Sequence, residues 1–274
     1  MSSLNSISIE KLARLIGTPK CPALIDVCTD EDFAVNPFML PGAVHRSYAD
    51  APEWAHEWVG QTVLAICQKG QKLSHGVAAW LRHSGIVADA LEGGFLAWSQ
   101  AGLPVVTKAK LPSRDAHGHT LWVTRSRPKI DRIACPWLIR RFIDANAVFL
   151  FVPTSEVGAV AERFGATPFD IEGDGIFWSH RGELCTFDVM IREFGLTTEP
   201  LLRLATIVRG ADTARLDLAP EASGLLAASL GLSRMFADDL AQLEAGLLLY
   251  DAFYRWCRDA TDETHNWPAK TVGA

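Results

Sequence analysis

A cysteine, two lysines and a glycine fall together in the run Cys67-Gln68-Lys69-Gly70-Gln71-Lys72. The apolar stretch Val63-Leu64-Ala65-Ile66 leads into it, and an alanine-rich helical pattern, Ser74 to His83, leads out. A strand that ends in cysteine before a short polar loop and a helix start can aim loop amides and the helix dipole at the sulfur. Such surroundings lower a thiol pKa and prepare a thiolate nucleophile. Lys69 and Lys72 add positive charge, which favours the thiolate and attracts an anionic substrate, with Gln68, Gly70 and Gln71 completing the loop that would bind it. The ordinary alternative is a packed, inert cysteine. The strand-end position beside a cationic loop favours the nucleophile. Asp26, at the end of the apolar run Ala23 to Val27, reads either as part of this site or as a turn cap.

Two further groupings lie in the second half of the chain. Residues 125–141 carry Arg125, Arg127, Lys129, Arg132, Arg140 and Arg141 against Asp131. Guanidinium groups gathered at a helix N-terminus suit a tetrahedral dianion; a solvated basic face with paired arginines is the other reading. His180, Glu183, Cys185 and Asp188, with Asp212 from a later helix, mix nitrogen, oxygen and sulfur donors in the manner of a divalent or transition-metal site. Within that group Cys185 and Thr186 read first as a core residue and a helix N-cap. The run Asp170 to Gly175 mimics the start of a calcium loop but has Arg181 where the twelfth position needs glutamate, which excludes an EF-hand.

These residues require a frame. Short strands at 23–27, 63–66 and 88–91 alternate with helical patterns, which predicts a parallel sheet with helices on its faces. Functional groups in such sheets sit beyond the carboxyl ends of the strands, where Asp26 and Cys67 fall. The polar stretch Lys108 to Thr120, with Pro112 and Gly118, reads as a linker. Domains are therefore expected at 1–108 and 121–274, with 109–120 between them. In the second half, strands are expected at 121–124 and 148–152. A helix is expected within 130–145, with Pro136 tolerated in its first turn. Further helices are expected near 155–164, 186–195, 199–209, 221–230 and 237–258. The predicted fold class is α/β: a helix-flanked parallel sheet, then a helix-rich α/β or α+β domain.

Three ordered motifs in residues 22–106 resemble the rhodanese domain. The first is Leu24-Ile25-Asp26-Val27-Cys28 through Phe33, with Leu40-Pro41-Gly42-Ala43-Val44; the second is the Cys67 loop with Ser74 and Ala78-Ala79. The third is Leu91-Glu92-Gly93-Gly94-Phe95-Leu96-Ala97-Trp98 followed by Ala101-Gly102-Leu103-Pro104-Val105. The resemblance implies a sulfurtransferase in which Cys67 cycles through a persulfide. A small anionic donor such as thiosulfate supplies the sulfur, cyanide or a thiol accepts it, and no cofactor is required. Two positions depart from the family pattern. Cys28 stands where arginine is usual, and Lys72-Leu73 replaces Arg-Ser, which keeps a charge but loses the bidentate fork. Leu73 also occupies the place where a cysteine phosphatase needs arginine, so phosphatase chemistry is not expected.

Residues 121–258 resemble the C-terminal domain of chromate-resistance proteins. The resemblance is carried by Trp122-Val123-Thr124-Arg125-Ser126-Arg127-Pro128, the run Asp131 to Asp144, Pro168-Phe169-Asp170, His180, Thr186-Phe187-Asp188, Ile207 to Asp212, and Tyr250-Asp251-Ala252. It implies a role in the response to chromate, itself a tetrahedral dianion. Three functions follow as expectations. The first is a sulfurtransferase acting in chromate resistance. The second is an oxyanion- or metal-binding sensor with a vestigial rhodanese domain, and the third is direct reduction of chromate by Cys67.

Composition narrows the partners. A formal net charge of -6 argues against nucleic acid or a membrane surface as partner. The start of the chain shows no signal-peptide pattern, and no apolar run is long enough to span a bilayer. The six cysteines show no paired spacing, which points to free thiols in a reducing cytoplasm.

Overall fold

Apolar runs bounded by turn residues become strands, and the helical patterns between them return the chain to the same sheet edge. In the computed structural model, which describes residues 5–115, 118–173 and 175–264, the first half reads in order β1 (Ser6–Ile7), α1 (Ile9–Leu15), β2 (Ala23–Asp26), α2 (Asp30–Val35), β3 (Phe38–Met39) and β4 (Ala43–His45). It continues with α3 (Ala51–Trp54), β5 (Thr62–Ile66), α4 (Lys72–His83), β6 (Val87–Leu91), α5 (Gly94–Gln100) and β7 (Val106–Thr107). Strands β1, β6, β5, β2 and β4 form a five-stranded parallel sheet in that order, with Asp26 level with Ile66 in the β2–β5 register. Val63 to Ile66 are all buried, as expected of a strand covered on both faces. The small antiparallel pair β3–β7 lies outside that sheet.

The second half contains β8 (Leu121–Arg125), α6 (Asp131–Phe142), β9 (Val148–Val152), α7 (Val157–Phe164) and β10 (Thr167–Pro168). Helices α8 (Thr186–Phe194), α9 (Glu199–Asp212), α10 (Ala222–Met235) and α11 (Asp239–Asp259) follow. The order β10-β8-β9 makes a three-stranded parallel sheet, and the last four helices pack together beside it. The chain is thus mixed α/β throughout, with parallel sheets in both halves. Among the described residues no helix is long and apolar enough to cross a membrane.

Three local expectations need adjusting. Helix α6 begins at Asp131, so Pro136 lies inside it, beyond the first turn, where it withholds the amide that would bond Arg132's carbonyl. The N-cap of α8 is Cys185 rather than Thr186: Asp188 accepts the Cys185 N–H in a capping box, and Thr186 is already helical. The segment read as a linker is fastened in place. Lys108 to Lys110 form a single 3-10 turn, Lys110 pairs with Glu193 at 2.9 Å, and Arg114 pairs with the buried Asp144 at 3.2 Å. Residues 116 and 117 of that segment lie outside the described residues.

One apolar core runs through both halves. Leu12, Ile16, Leu64 and Trp98 from the first belong to the same buried cluster as Trp137, Phe142 and Tyr254 from the second. The Gly42 amide also donates to the Phe142 carbonyl, 2.6 Å away. A smaller cluster on the other sheet face contains Cys67, Cys28 and Leu81.

Candidate functional sites

Cys67 follows directly on β5, at the carboxyl edge of the five-stranded sheet. The loop after it is held by the start of α5: Phe95 N–H donates to the Cys67 carbonyl and Leu96 N–H to the Gln68 carbonyl, each at 3.0 Å. Both helix and loop depend on glycine. Gly70 and Gly94 take φ of +62° and +59°, and a Cβ on Gly94 would overlap the Cys67 carbonyl and the Gly70 nitrogen. Gly70 and Gly94 therefore permit backbone to meet backbone, which shapes the cysteine loop.

Inside that loop the Cys67 sulfur accepts the Gln71 N–H at 3.3 Å and lies 3.2 Å from the Ser74 hydroxyl. Gln71 is the N-cap of α4, so the sulfur sits at the positive end of a 12-residue helix. Burial works against the thiolate, but the Ser74 hydroxyl and the amides of Ser74, Gln71 and Lys69 outweigh it and hold the pKa below the ordinary thiol value. The other cysteines behave oppositely. Burial pushes Cys28, Cys135, Cys185 and Cys257 up, and raises Cys21 to about 12.

The charge around Cys67 differs from expectation. Lys69 and Lys72 are exposed, and hydrogen bonds from the buried Ser74 and the loop amides lead among the influences favouring the thiolate. Ser74 was legible as a motif residue in the first turn of α4, but its distance to the sulfur was not. Gln68 and Gln71 contribute backbone groups to the loop. Asp26 accepts the Cys28 N–H at 2.9 Å, a local turn contact of the kind an aspartate makes after a strand. The sulfur lies under the loop: Cys67 is 4% exposed.

The arginines of 125–141 do not converge. Arg127 donates to the carbonyls of Ser233 and Phe236 at the end of α10. Arg132 lies 3.3 Å from an Asp170 oxygen, and Arg140 pairs with Glu244. Arg141 makes two 2.8 Å bonds to Asp251, whose Oδ1 also accepts the Trp137 indole N–H. Arg125 is exposed. Helical geometry explains the dispersal: Arg132 is in the first turn of α6, whereas Arg140 and Arg141 are in its last. The tertiary fold instead places Arg192, Arg209 and Arg215 around a cavity of about 430 Å³, together with Glu183.

The metal-type group is also redistributed. Asp188 is engaged by Arg209 at 2.7 Å and by Cys185, while Glu183 faces the arginine cavity. His180 and Asp212 do meet, at 3.3 Å, and two unexpected carboxylates join them. The same His180 Nε2 lies 3.4 Å from Asp170 Oδ1 and 3.6 Å from Asp131 Oδ2. Asp131 opens α6, Asp170 follows β10, and Asp212 ends α9. Burial, then the neighbouring Asp212 and Asp170, pushes Asp131 well above the usual carboxylate range; Asp170 and Asp212 push His180 up to about 10. The sequence alone groups His180 with Asp212 but gives no sign that Asp131 and Asp170 join them, because the members are scattered over some eighty positions of chain.

Comparison with known proteins places both halves. Residues 8–101 match the model of the rhodanese-like domain, and residues 122–257 match that of ChrB, C-terminal domain. Protein ChrB of Cupriavidus metallidurans is 33% identical over 159 residues, covering 56% of this chain and 46% of ChrB. The chain therefore spans about half the length of that relative. Among solved structures, SSP1007 of Staphylococcus saprophyticus is 27% identical, covering 36% of this chain and 98% of its own, with a TM-score of 0.33. A rhodanese-like domain protein of Staphylococcus aureus is also 27% identical, covering 35% of this chain and 91% of its own, with a TM-score of 0.32.

Proposed function

We propose that this chain, a rhodanese-like domain joined to a ChrB C-terminal domain, is a sulfurtransferase that acts in chromate resistance through a persulfide on Cys67. The observation that carries the proposal is the Cys67 sulfur at the N-terminus of α4, bonded by the Gln71 amide and facing the Ser74 hydroxyl. In the first half-reaction the thiolate attacks the outer sulfur of a thiosulfate-type donor. A new S–S bond forms as the donor's S–S bond breaks, and sulfite leaves with the electron pair. In the second, cyanide or a thiolate attacks the outer persulfide sulfur and Cys67 departs as thiolate. The same N–H and O–H groups that stabilise it at the start stabilise it as leaving group. Cys67 is 4% exposed, so labelling by a donor also tests whether the sulfur can be reached.

Intact mass spectrometry after thiosulfate treatment tests this reading. Wild type should gain one sulfur, mapped to the Cys67 peptide, and Cys67→Ala should gain none. Equal labelling of the two, or no labelling of wild type, removes the nucleophile.

The oxyanion-sensing alternative is favoured by a different feature, the cavity lined by Arg192, Arg209 and Arg215, in which Arg209 and Arg215 also pair with Asp188 and Asp217. Calorimetric titration with chromate and sulfate should then show heat that Arg192→Ala abolishes. No heat with wild type ends that reading. The proposed setting for either function is the cytoplasm.

A further inference from the structure

Four side chains from four separate segments converge at the carboxyl end of the three-stranded sheet. Asp131 follows β8 at the start of α6, Asp170 follows β10, His180 lies in the loop before α8, and Asp212 ends α9. We propose that Asp131, Asp170 and His180, with Asp212 at their edge, bind one divalent first-row transition ion.

The donor spacing supports a shared ion more than a set of ion pairs. One oxygen of Asp131, one of Asp170 and a ring nitrogen of His180 all lie within 4.8 Å of one another. The separations from His180 Nε2 are 3.3, 3.4 and 3.6 Å, longer than the 2.7–3.2 Å of a good hydrogen bond. With metal–ligand bonds of about 2.1 Å, tetrahedral neighbours stand about 3.4 Å apart. The imidazole faces all three carboxyl groups at separations close to that spacing.

A second observation is independent of that spacing. Asp131 is wholly buried, and its Oδ1 has no hydrogen-bond partner. Its other oxygen, Oδ2, accepts only the Phe187 N–H at 3.3 Å and faces His180 at 3.6 Å, so this buried carboxyl enters the cluster with spare acceptor capacity. A buried carboxylate oxygen left unpaired costs free energy that a coordinated cation recovers.

Charge and chemistry set the class of ion. Three carboxylates crowd a space whose nearest fixed cation is Arg132, 3.3 Å from Asp170 Oδ2. An oxygen-rich set with one imidazole suits Mn²⁺, Fe²⁺ or Zn²⁺ better than a soft thiophilic ion. The His180 side chain is 41% exposed, which gives an ion a route in from solvent. The backbone is also held in unusual conformations here: Ile130, which precedes Asp131, and Asp170 itself have φ of +40° and +49°.

The test uses the full chain, stripped with chelator and dialysed, then titrated separately with Mn²⁺ and Zn²⁺ by calorimetry, with the free Mn²⁺ spin-resonance signal as a second readout. Wild type should take up one ion per chain with at least one of these metals, and its melting temperature should rise with metal. His180→Gln and Asp170→Asn should each weaken binding at least tenfold while circular dichroism shows them folded. Glu183→Gln, outside the cluster, should bind as wild type does. Absence of stoichiometric uptake of either ion, or unchanged affinity in the folded His180 and Asp170 variants, overturns the assignment. Sulfur transfer by Cys67 plays no part in these readouts.

Discussion

Replacing Ser74 with alanine should make Cys67 less reactive than wild type at acid pH and more reactive at alkaline pH. The Ser74 hydroxyl has a single proton and two acceptors in reach, the Gln71 carbonyl at 3.1 Å and the Cys67 sulfur at 3.2 Å. When the sulfur is a thiolate, the hydroxyl donates to it; when it is a thiol, the hydroxyl is free to donate to the carbonyl. A hydrogen bond to a charged group contributes about 1.5–3 kcal/mol, and one pKa unit corresponds to about 1.4 kcal/mol. Ser74→Ala should therefore raise the Cys67 pKa by about one to two units. Two effects then oppose each other. On the acid limb, below either pKa, the thiolate fraction falls about tenfold for each unit. Nucleophilicity rises with pKa along a Brønsted slope of about 0.4–0.5, which returns about threefold for each unit.

The fraction wins on the acid limb, and the variant should be about three- to tenfold slower there. On the alkaline limb both proteins are fully thiolate, only the nucleophilicity term survives, and the variant should be faster by a similar factor. Iodoacetamide alkylation of the Cys67 peptide, followed by mass spectrometry across the pH range, reads both limbs. Superimposable profiles would refute the assignment of Ser74 as the group that holds the thiolate. A variant slower by the same factor at every pH would do so as well, since it would mean lost access rather than a moved pKa.

Other perturbations probe the frame around the sites. Gly94→Ala places a side chain at φ +59° against the Cys67 carbonyl. The left-handed conformation alone costs about 1–2 kcal/mol, so the loop should shift; Cys67 alkylation should then titrate nearer an ordinary thiol, and an unchanged profile would show that the glycine contact does not shape the site. Arg141→Ala should destabilise the chain by about 3 kcal/mol in urea unfolding, because it strands a largely buried Asp251. Its effect on sulfate or chromate binding should be negligible. Unchanged stability with loss of anion binding would restore Arg141 to the role its neighbours in sequence suggested.

Much of the first half was legible before folding. A buried strand, a cysteine, a glycine loop and a helix are contiguous in the chain, so hydrophobic pattern and turn chemistry alone put Cys67 at a strand end facing a helix N-terminus. The Gly93-Gly94 pair was visible in the third motif; that Gly94 clamps the cysteine loop was not, since the contact joins segments twenty-odd residues apart. The lysines drew attention because charge is conspicuous in sequence. The tertiary structure gave the leading role to Ser74 and backbone amides, which are close to the sulfur and shielded from water, whereas exposed lysines act through solvent.

In the second half the sequence by itself determined most of the elements. The strands near 121–124 and 148–152, a helix within 130–145 and the long final helix follow from local periodicity, whereas β10, the parallel pairing and the place of Pro136 in its helix came only with the structure. The sequence also determined which residue types were on hand for chemistry. Their grouping was decided by packing alone. Arg132 was parted from Arg140 and Arg141 because α6 carries them at opposite ends, and four separate segments brought Asp131, Asp170, His180 and Asp212 to one point. A local pattern encodes local geometry; a site assembled from strand ends and helix ends exists only after the sheet has set their positions.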